Sequence, residues 1–178
     1  MTFELETLTK TKITDVMVLS QKNREPDANP GAALSFSLEL SNHNLSFFDG
    51  SLKSFLYTKS AASSATPKQK GLEGVEEVSD MPNLTAAGIK LGKLHWNHEF
   101  TGYSLVIDHG MGGKSNLNID DCTLSAFRIE PKEGGTIVLG FQLEAQDVPE
   151  KVFGKLATLK NREVQIMLTA PVVVQESI

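Results

Sequence analysis

Cysteine is almost missing from this chain: Cys122 is the single one in 178 residues. One thiol excludes an intrachain disulfide and any zinc site that needs two thiolates. A large positive excess is missing too. The net charge is −5, the opposite of the broad basic field that coats duplex nucleic acid. No run of about 18 apolar residues occurs, which excludes a helical membrane span. The opening Met1–Lys10 alternates apolar and polar residues and lacks the apolar core of a signal peptide. A reducing cytoplasm is therefore the expected setting. There is no Gly-x-Ser-x-Gly elbow, no His-Glu-x-x-His helix and no internal repeat.

What is present is alternation. In Leu34-Ser35-Phe36-Ser37-Leu38-Glu39-Leu40-Ser41 the apolar residues recur every second position, as in a half-buried strand. Thr136–Ala145 repeats the pattern, with Ile137, Leu139, Phe141, Leu143 and Ala145 inward. Pro131-Lys132-Glu133-Gly134-Gly135 reads as the turn joining it to Phe127–Glu130. A second hairpin is expected from Leu94–Phe100 and Tyr103–Ile107 around a Thr101-Gly102 turn, with Trp96, Phe100, Tyr103, Leu105 and Ile107 inward. Phe3–Leu19 supplies one long or two short strands, and Glu163–Ala170 another, stopped by Pro171.

Helical spacing is rarer. Asp147-Val148-Pro149-Glu150 predicts an acid-capped start, followed by Val152, Phe153, Leu156 and Leu159 and an end near Asn161. A short helix over 51–57 follows Asp49-Gly50-Ser51, with Leu52, Phe55 and Leu56 on one face. Residues 58–71 are small, polar and lysine-bearing, with nothing to bury, and read as a mobile surface loop. The expected fold is mainly β within a β-rich α+β class. It is a single domain over 1–178, an antiparallel sandwich or partly open barrel with a capped helix near the C-terminus.

One stretch imitates a phosphate cradle. Ser104–Asn116 runs S-L-V-I-D-H-G-M-G-G-K-S-N, an apolar strand entering a glycine-rich loop that ends Gly-Lys-Ser. A P-loop requires a glycine where Asp108 stands, and a helix afterwards whose amides converge on the phosphates. Asn116-Leu117-Asn118-Ile119-Asp120 alternates like a strand instead. A nucleotide site is not expected. His95, Asp108 and His109 could approach one another at the open end of the 94–107 hairpin, but a structural or surface role outweighs a metal site. Cys122 follows two aspartates, which raise its thiol pKa and make it a poor nucleophile. Asp120-Asp121 is no carboxylate dyad if strand neighbours face opposite ways. No catalytic residue, cofactor or metal is expected.

Two binding surfaces remain. Residues 1–70 hold eight Lys/Arg against seven Asp/Glu, whereas 71–178 hold nine against fifteen. The acidic second half suits a decoy surface or a face for a basic partner equally. Lys59, Lys68 and Lys70 of the polar loop, with Asp108 and His109 at the glycine-rich lip, are the candidate partner-binding residues. Single-stranded nucleic acid is the alternative, since Phe47, Phe48, Phe55 and Tyr57 with Lys53 form the one aromatic cluster near lysine. The tail Pro171–Ile178 could pair with a sheet edge, its own or a partner's.

Two longer stretches carry a resemblance. Leu94-His95-Trp96-Asn97-His98-Glu99-Phe100-Thr101-Gly102-Tyr103 through Asp121-Cys122 is one. The other runs from Glu133-Gly134-Gly135-Thr136 through Leu156 to Glu163-Val164-Gln165-Ile166-Met167-Leu168-Thr169-Ala170-Pro171. Together they resemble small uncharacterised accessory proteins of tailed bacteriophages and prophages. The resemblance implies a bacterial host cytoplasm and an accessory role, and brings no catalytic residues. The expected function is therefore non-enzymatic binding to a host or phage protein. Interference with host defence and support of phage DNA replication or recombination both fit. A single-strand nucleic-acid binder and a virion assembly component that oligomerises through sheet edges are the alternatives.

Overall fold

The computed structural model describes residues 3–19, 25, 27–59, 79–110 and 115–172. Among these described residues nine strands, three α-helices and a 3-10 helix follow in the order β1 (Leu5–Leu19), β2 (Gly31–Ser41), the 3-10 helix (Asn42–Phe47), α1 (Leu52–Leu56), β3 (Tyr57–Thr58), β4 (Asn83–Leu84), α2 (Ala86–Leu91), β5 (Leu94–Trp96), β6 (Phe100–Asp108), β7 (Leu117–Lys132), β8 (Thr136–Ala145), α3 (Glu150–Thr158) and β9 (Glu163–Thr169). The strand order is β5-β7-β6-β9-β1-β2-β8, and a further β7–β8 pairing closes six strands into a barrel with β5 as an extra strand on β7. The fold is thus mainly β, and of the two expected architectures it is the barrel, closed rather than partly open. Closure leaves fewer unpaired edges than a sandwich has.

Alternation placed the core well. Leu34, Phe36 and Leu38 are buried, as are Ile137, Leu139, Phe141, Leu143 and Ala145. In β7 the inward residues are 117 and 119, then 122 and 124, then 127, 129 and 131. The parity shifts twice, at Asp121 (φ 53°) and Ala126 (φ 52°). Each is the extra residue of a β-bulge, which sharpens the local twist that a closing sheet requires. A consequence is that Asp120 and Asp121 are both exposed, not on opposite faces as strict alternation predicts.

Three expectations are corrected. The Thr101-Gly102 turn does not form. β6 runs straight through these residues, pairing with β7 and β9, while Leu94–Trp96 lies beside β7 as β5. Gly102 does adopt a positive φ of 77°, but at a register shift within the β6–β7 ladder. Turn and bulge ask the same of a glycine, so the residue alone cannot separate them. Asp147 does not cap α3 either: Pro149 occupies the N-cap, and the Asp147 carboxylate accepts from Asn29 Nδ2 at 2.8 Å. In α1, Leu52 and Leu56 are buried but Phe55 is turned outward, 53% exposed.

The chain groups into two compact units. The strand-rich unit (Thr2–Leu38, Asn97–Phe127 and Gly140–Ile178) has an aromatic centre. Phe127 meets Phe3 and Phe100 edge-on at 5.9 and 5.6 Å and stacks on Phe141 at 5.9 Å, and Phe141 stacks on Phe36 at 5.2 Å. Such pairs add to the burial of their large apolar surface.

The helical unit (Glu39–Trp96 with Arg128–Leu139) is pinned by polar groups instead. Buried Asn42 donates from Nδ2 to the Met81 carbonyl at 2.9 Å, and its Oδ1 accepts from the Ser79 hydroxyl at 2.7 Å. Its amide donates to the Gly135 carbonyl at 2.8 Å. Gly135 has φ 84°, and a Cβ there would stand 2.4 Å from that of Ser79, so only glycine fits. The Tyr57 hydroxyl lies 2.7 Å from the Thr136 carbonyl and accepts the Lys132 amide at 3.0 Å. It thereby ties the start of β3 to the β7–β8 turn.

Candidate protein-binding cleft

The cleft begins with a turn. The Asp49 carboxylate accepts from the Ser51 amide at 2.7 Å and from its hydroxyl at 2.5 Å, and α1 starts immediately afterwards. These two bonds hold the Asp49 carboxyl below the usual carboxylate range. α1 buries Leu52 and Leu56 and presents Phe55 to the surface.

Thr85 then links the two helices of the unit. Its side chain accepts the Gly88 amide at 3.0 Å, capping α2, and donates to the Phe55 carbonyl at 2.8 Å, while its amide reaches the Leu56 carbonyl at 2.9 Å. Gly88 permits this approach, since a Cβ there would lie 2.5 Å from the Leu56 carbonyl oxygen. α2 leaves Ile89 67% and Leu91 47% exposed. Half-buried Trp96 of β5 meets Phe48 edge-on, with ring centroids 6.0 Å apart. Asp49, Ser51, Leu52, Ser54, Phe55 and Trp96 line an open cleft of about 490 Å³.

The residues singled out from sequence fall in several places. Phe47 and Phe48 are half-buried. The Lys53 side chain is only 16% exposed, with Nζ 2.5 Å from Asp80 and 2.9 Å from His43 Nδ1. Tyr57 is fully buried. A ring without an accessible face cannot stack on a base, so Tyr57 drops out of the aromatic nucleic-acid set. Lys59 is exposed, and Lys68 and Lys70 lie outside the described residues.

Asp108 and His109 do come together with other polar groups. They share a shallow pocket of about 370 Å³ with Lys10, Glu163 and Gln165. Most of its polar groups are already occupied. Lys10 pairs with Glu163 at 2.9 Å, Asp108 accepts the Gly110 amide at 2.8 Å, and His109 Nε2 lies 3.0 Å from the Ser115 carbonyl. After the glycine-rich loop the chain enters strand β7, not a helix, so the geometry of a phosphate cradle is missing. Cys122 is buried, and burial, with Asp120 and Asp121 nearby, pushes its thiol up to about 12. Among the described residues no group of three His, Cys, Asp or Glu side chains could hold a metal ion. His95 is exposed on β5.

Sequence reasoning missed α2 and the outward turn of Phe55. The signal for α2 was present in Thr85-Ala86-Ala87-Gly88, a capping residue three positions before the amide it accepts. Helices of six and five residues are too short for periodicity to mark a face.

Fold and cleft together define a closed antiparallel barrel protein with an exposed apolar and aromatic surface on short helices. Comparison with protein-family models, curated proteins and solved structures gives no match. Among the described residues no helix is long and apolar enough to cross a membrane.

Proposed function

We propose that this chain is a non-enzymatic binding protein, an accessory factor of the phage type, whose helical unit docks on a host or phage protein. The observation that carries the reading is the exposure of Phe55, Ile89 and Leu91 on two helices that Thr85 links, with Phe55 also lining a cleft together with Trp96. The Thr85 side chain bonds the carbonyl of Phe55, and the Thr85 carbonyl accepts the amide of Ile89 at 3.0 Å, so the backbone that carries Phe55 and the backbone that carries Ile89 are joined through one residue. Clustered apolar side chains rimmed by polar ones mark protein interaction sites, and aromatic anchors dominate the energetics of such interfaces. The phage setting is supported by the sequence resemblance of the second half.

The test is a paired capture from bacterial host lysate, with and without phage infection. The wild-type chain is compared with a Phe55→Ser/Ile89→Ser double variant of unchanged thermal stability. A partner retained by the wild type and lost by the variant is the expected result. Equal capture by both, or turnover of a nucleotide, nucleic acid or glycan by the purified chain, would sink the proposal.

A further inference from the structure

The cleft has a chemical character beyond being apolar. Trp96 and Phe55 supply π-surface to its lining, and Phe48 is set edge-on against Trp96 at 6.0 Å. Asp49 is the charged group among the six lining residues. Its two hydrogen bonds from Ser51 both fall on Oδ1, and among the described residues no ion pair neutralises it. The nearest candidate in sequence, Lys53, is committed to Asp80 at 2.5 Å and to His43 at 2.9 Å. The hydroxyls of Ser51 and Ser54 keep acceptor capacity, since each spends its proton inside the turn, on Asp49 and on the Ser51 carbonyl. Aromatic faces, an ionised carboxylate without a counter-ion, and hydroxyl acceptors are together complementary to a cation with an apolar stem. The same carboxylate opposes a phosphate backbone.

We infer that the Asp49–Phe55–Trp96 cleft receives a cationic side chain, arginine or lysine, from the surface of the docked protein. This rests on the protein-docking reading and names the partner's contribution to it. The stem of such a residue lies along Leu52 and Phe55, its head against the indole, and its N–H groups on Asp49 and the serine hydroxyls. Arginine suits the site better than lysine, because its planar head both stacks on a ring and forks toward a carboxylate.

Trp96 is the single tryptophan of the chain, so its fluorescence reports on this cleft. The probes are a short N-acetylated, C-amidated peptide centred on arginine and its citrulline twin, which keeps shape and stem but loses the charge. Each is titrated into the full chain at low salt. A saturable change in Trp96 emission is expected with the arginine peptide, weakened about ten-fold or more for the citrulline twin. Asp49→Asn should weaken the arginine peptide equally, while its amide oxygen still accepts from the Ser51 amide and preserves the turn. Phe55→Ala, at an exposed position, should weaken both probes. Equal binding of both probes overturns the cation assignment yet leaves an apolar docking cleft intact. So does silence toward the arginine peptide, because partner capture and its loss in Phe55→Ser/Ile89→Ser are measured independently. Loss of that capture contrast, with the arginine response retained, would sink the docking reading alone.

Discussion

The chain has two tyrosines, one in each compact unit, and they are held in opposite ways. Tyr57, in the helical unit, is fully buried with its hydroxyl tied to the backbone at Lys132 and Thr136. Tyr103, in the strand-rich unit, is 1% exposed, and its hydroxyl has no hydrogen-bond partner among the described residues. Burial pushes both up to about 12. The pair summarises the contrast between the units. Short elements cannot bury much apolar area per residue, so the helical unit is specified by satisfied polar pins. Long strands with a phenylalanine centre can absorb one orphaned hydroxyl.

The contrast can be broken from either side. The largest effect is expected from Phe127→Ala, which removes the ring shared by Phe3, Phe100 and Phe141. It should cost about 3–5 kcal/mol in urea denaturation. Gly135→Ala comes next, at roughly 2–4 kcal/mol, since the left-handed φ and the contact with Ser79 act together. Hydrogen exchange at the Asn42 and Met81 amides should rise with it if the loss is local to the helical unit.

The tyrosines give the direct comparison. Tyr57→Phe should cost about 1–3 kcal/mol, because it orphans part-buried backbone groups at Lys132 and Thr136, whereas Tyr103→Phe should be neutral or stabilise by up to about 1 kcal/mol. Matched losses at both positions would erase the distinction drawn between the units.

Alkaline pH tests the buried thiol alongside them. Cys122 moves from 9.0 to about 12, so above pH 9 an unfolded chain releases a proton that the folded chain keeps. Stability is therefore full below that point and falls as pH rises toward 12, by about 1.4 kcal/mol per pH unit per group. Both tyrosines join from their ordinary value of 10.0 upward. Cys122→Ala should flatten the fall between pH 9 and 10, read from denaturation midpoints. The smallest effect expected is a gain of about 0.5–1 kcal/mol for Ala126→Gly, which relieves a left-handed alanine at φ 52°.

The difference between the units also explains what could be read from sequence. The strand-rich unit was legible because a two-residue period is local: Leu34, Phe36 and Leu38, or Phe141, Leu143 and Ala145, declare their face within a few positions. The helical unit was not, because its organising contacts span long separations. Asn42 with Ser79, and Tyr57 with Lys132 and Thr136, are bonds between polar residues that look like loop and surface in one dimension. Of the candidate sites, Asp108 and His109 do share a pocket, but the aromatic set was divided. Tyr57 went to the core and Phe55 to the surface, a division that five residues of helical spacing do not announce.

The two bulges of β7 make some positions in that strand expendable and others not. Losing one residue at 120–121 or at 125–126 removes only the offset, and Leu117, Ile119, Cys122, Leu124, Phe127 and Ile129 still point inward. Losing one anywhere between or beyond these places inverts a stretch of the strand and carries part of the core into water. Variation in length along β7 therefore has two permitted points, and both are already marked by a residue with φ above zero.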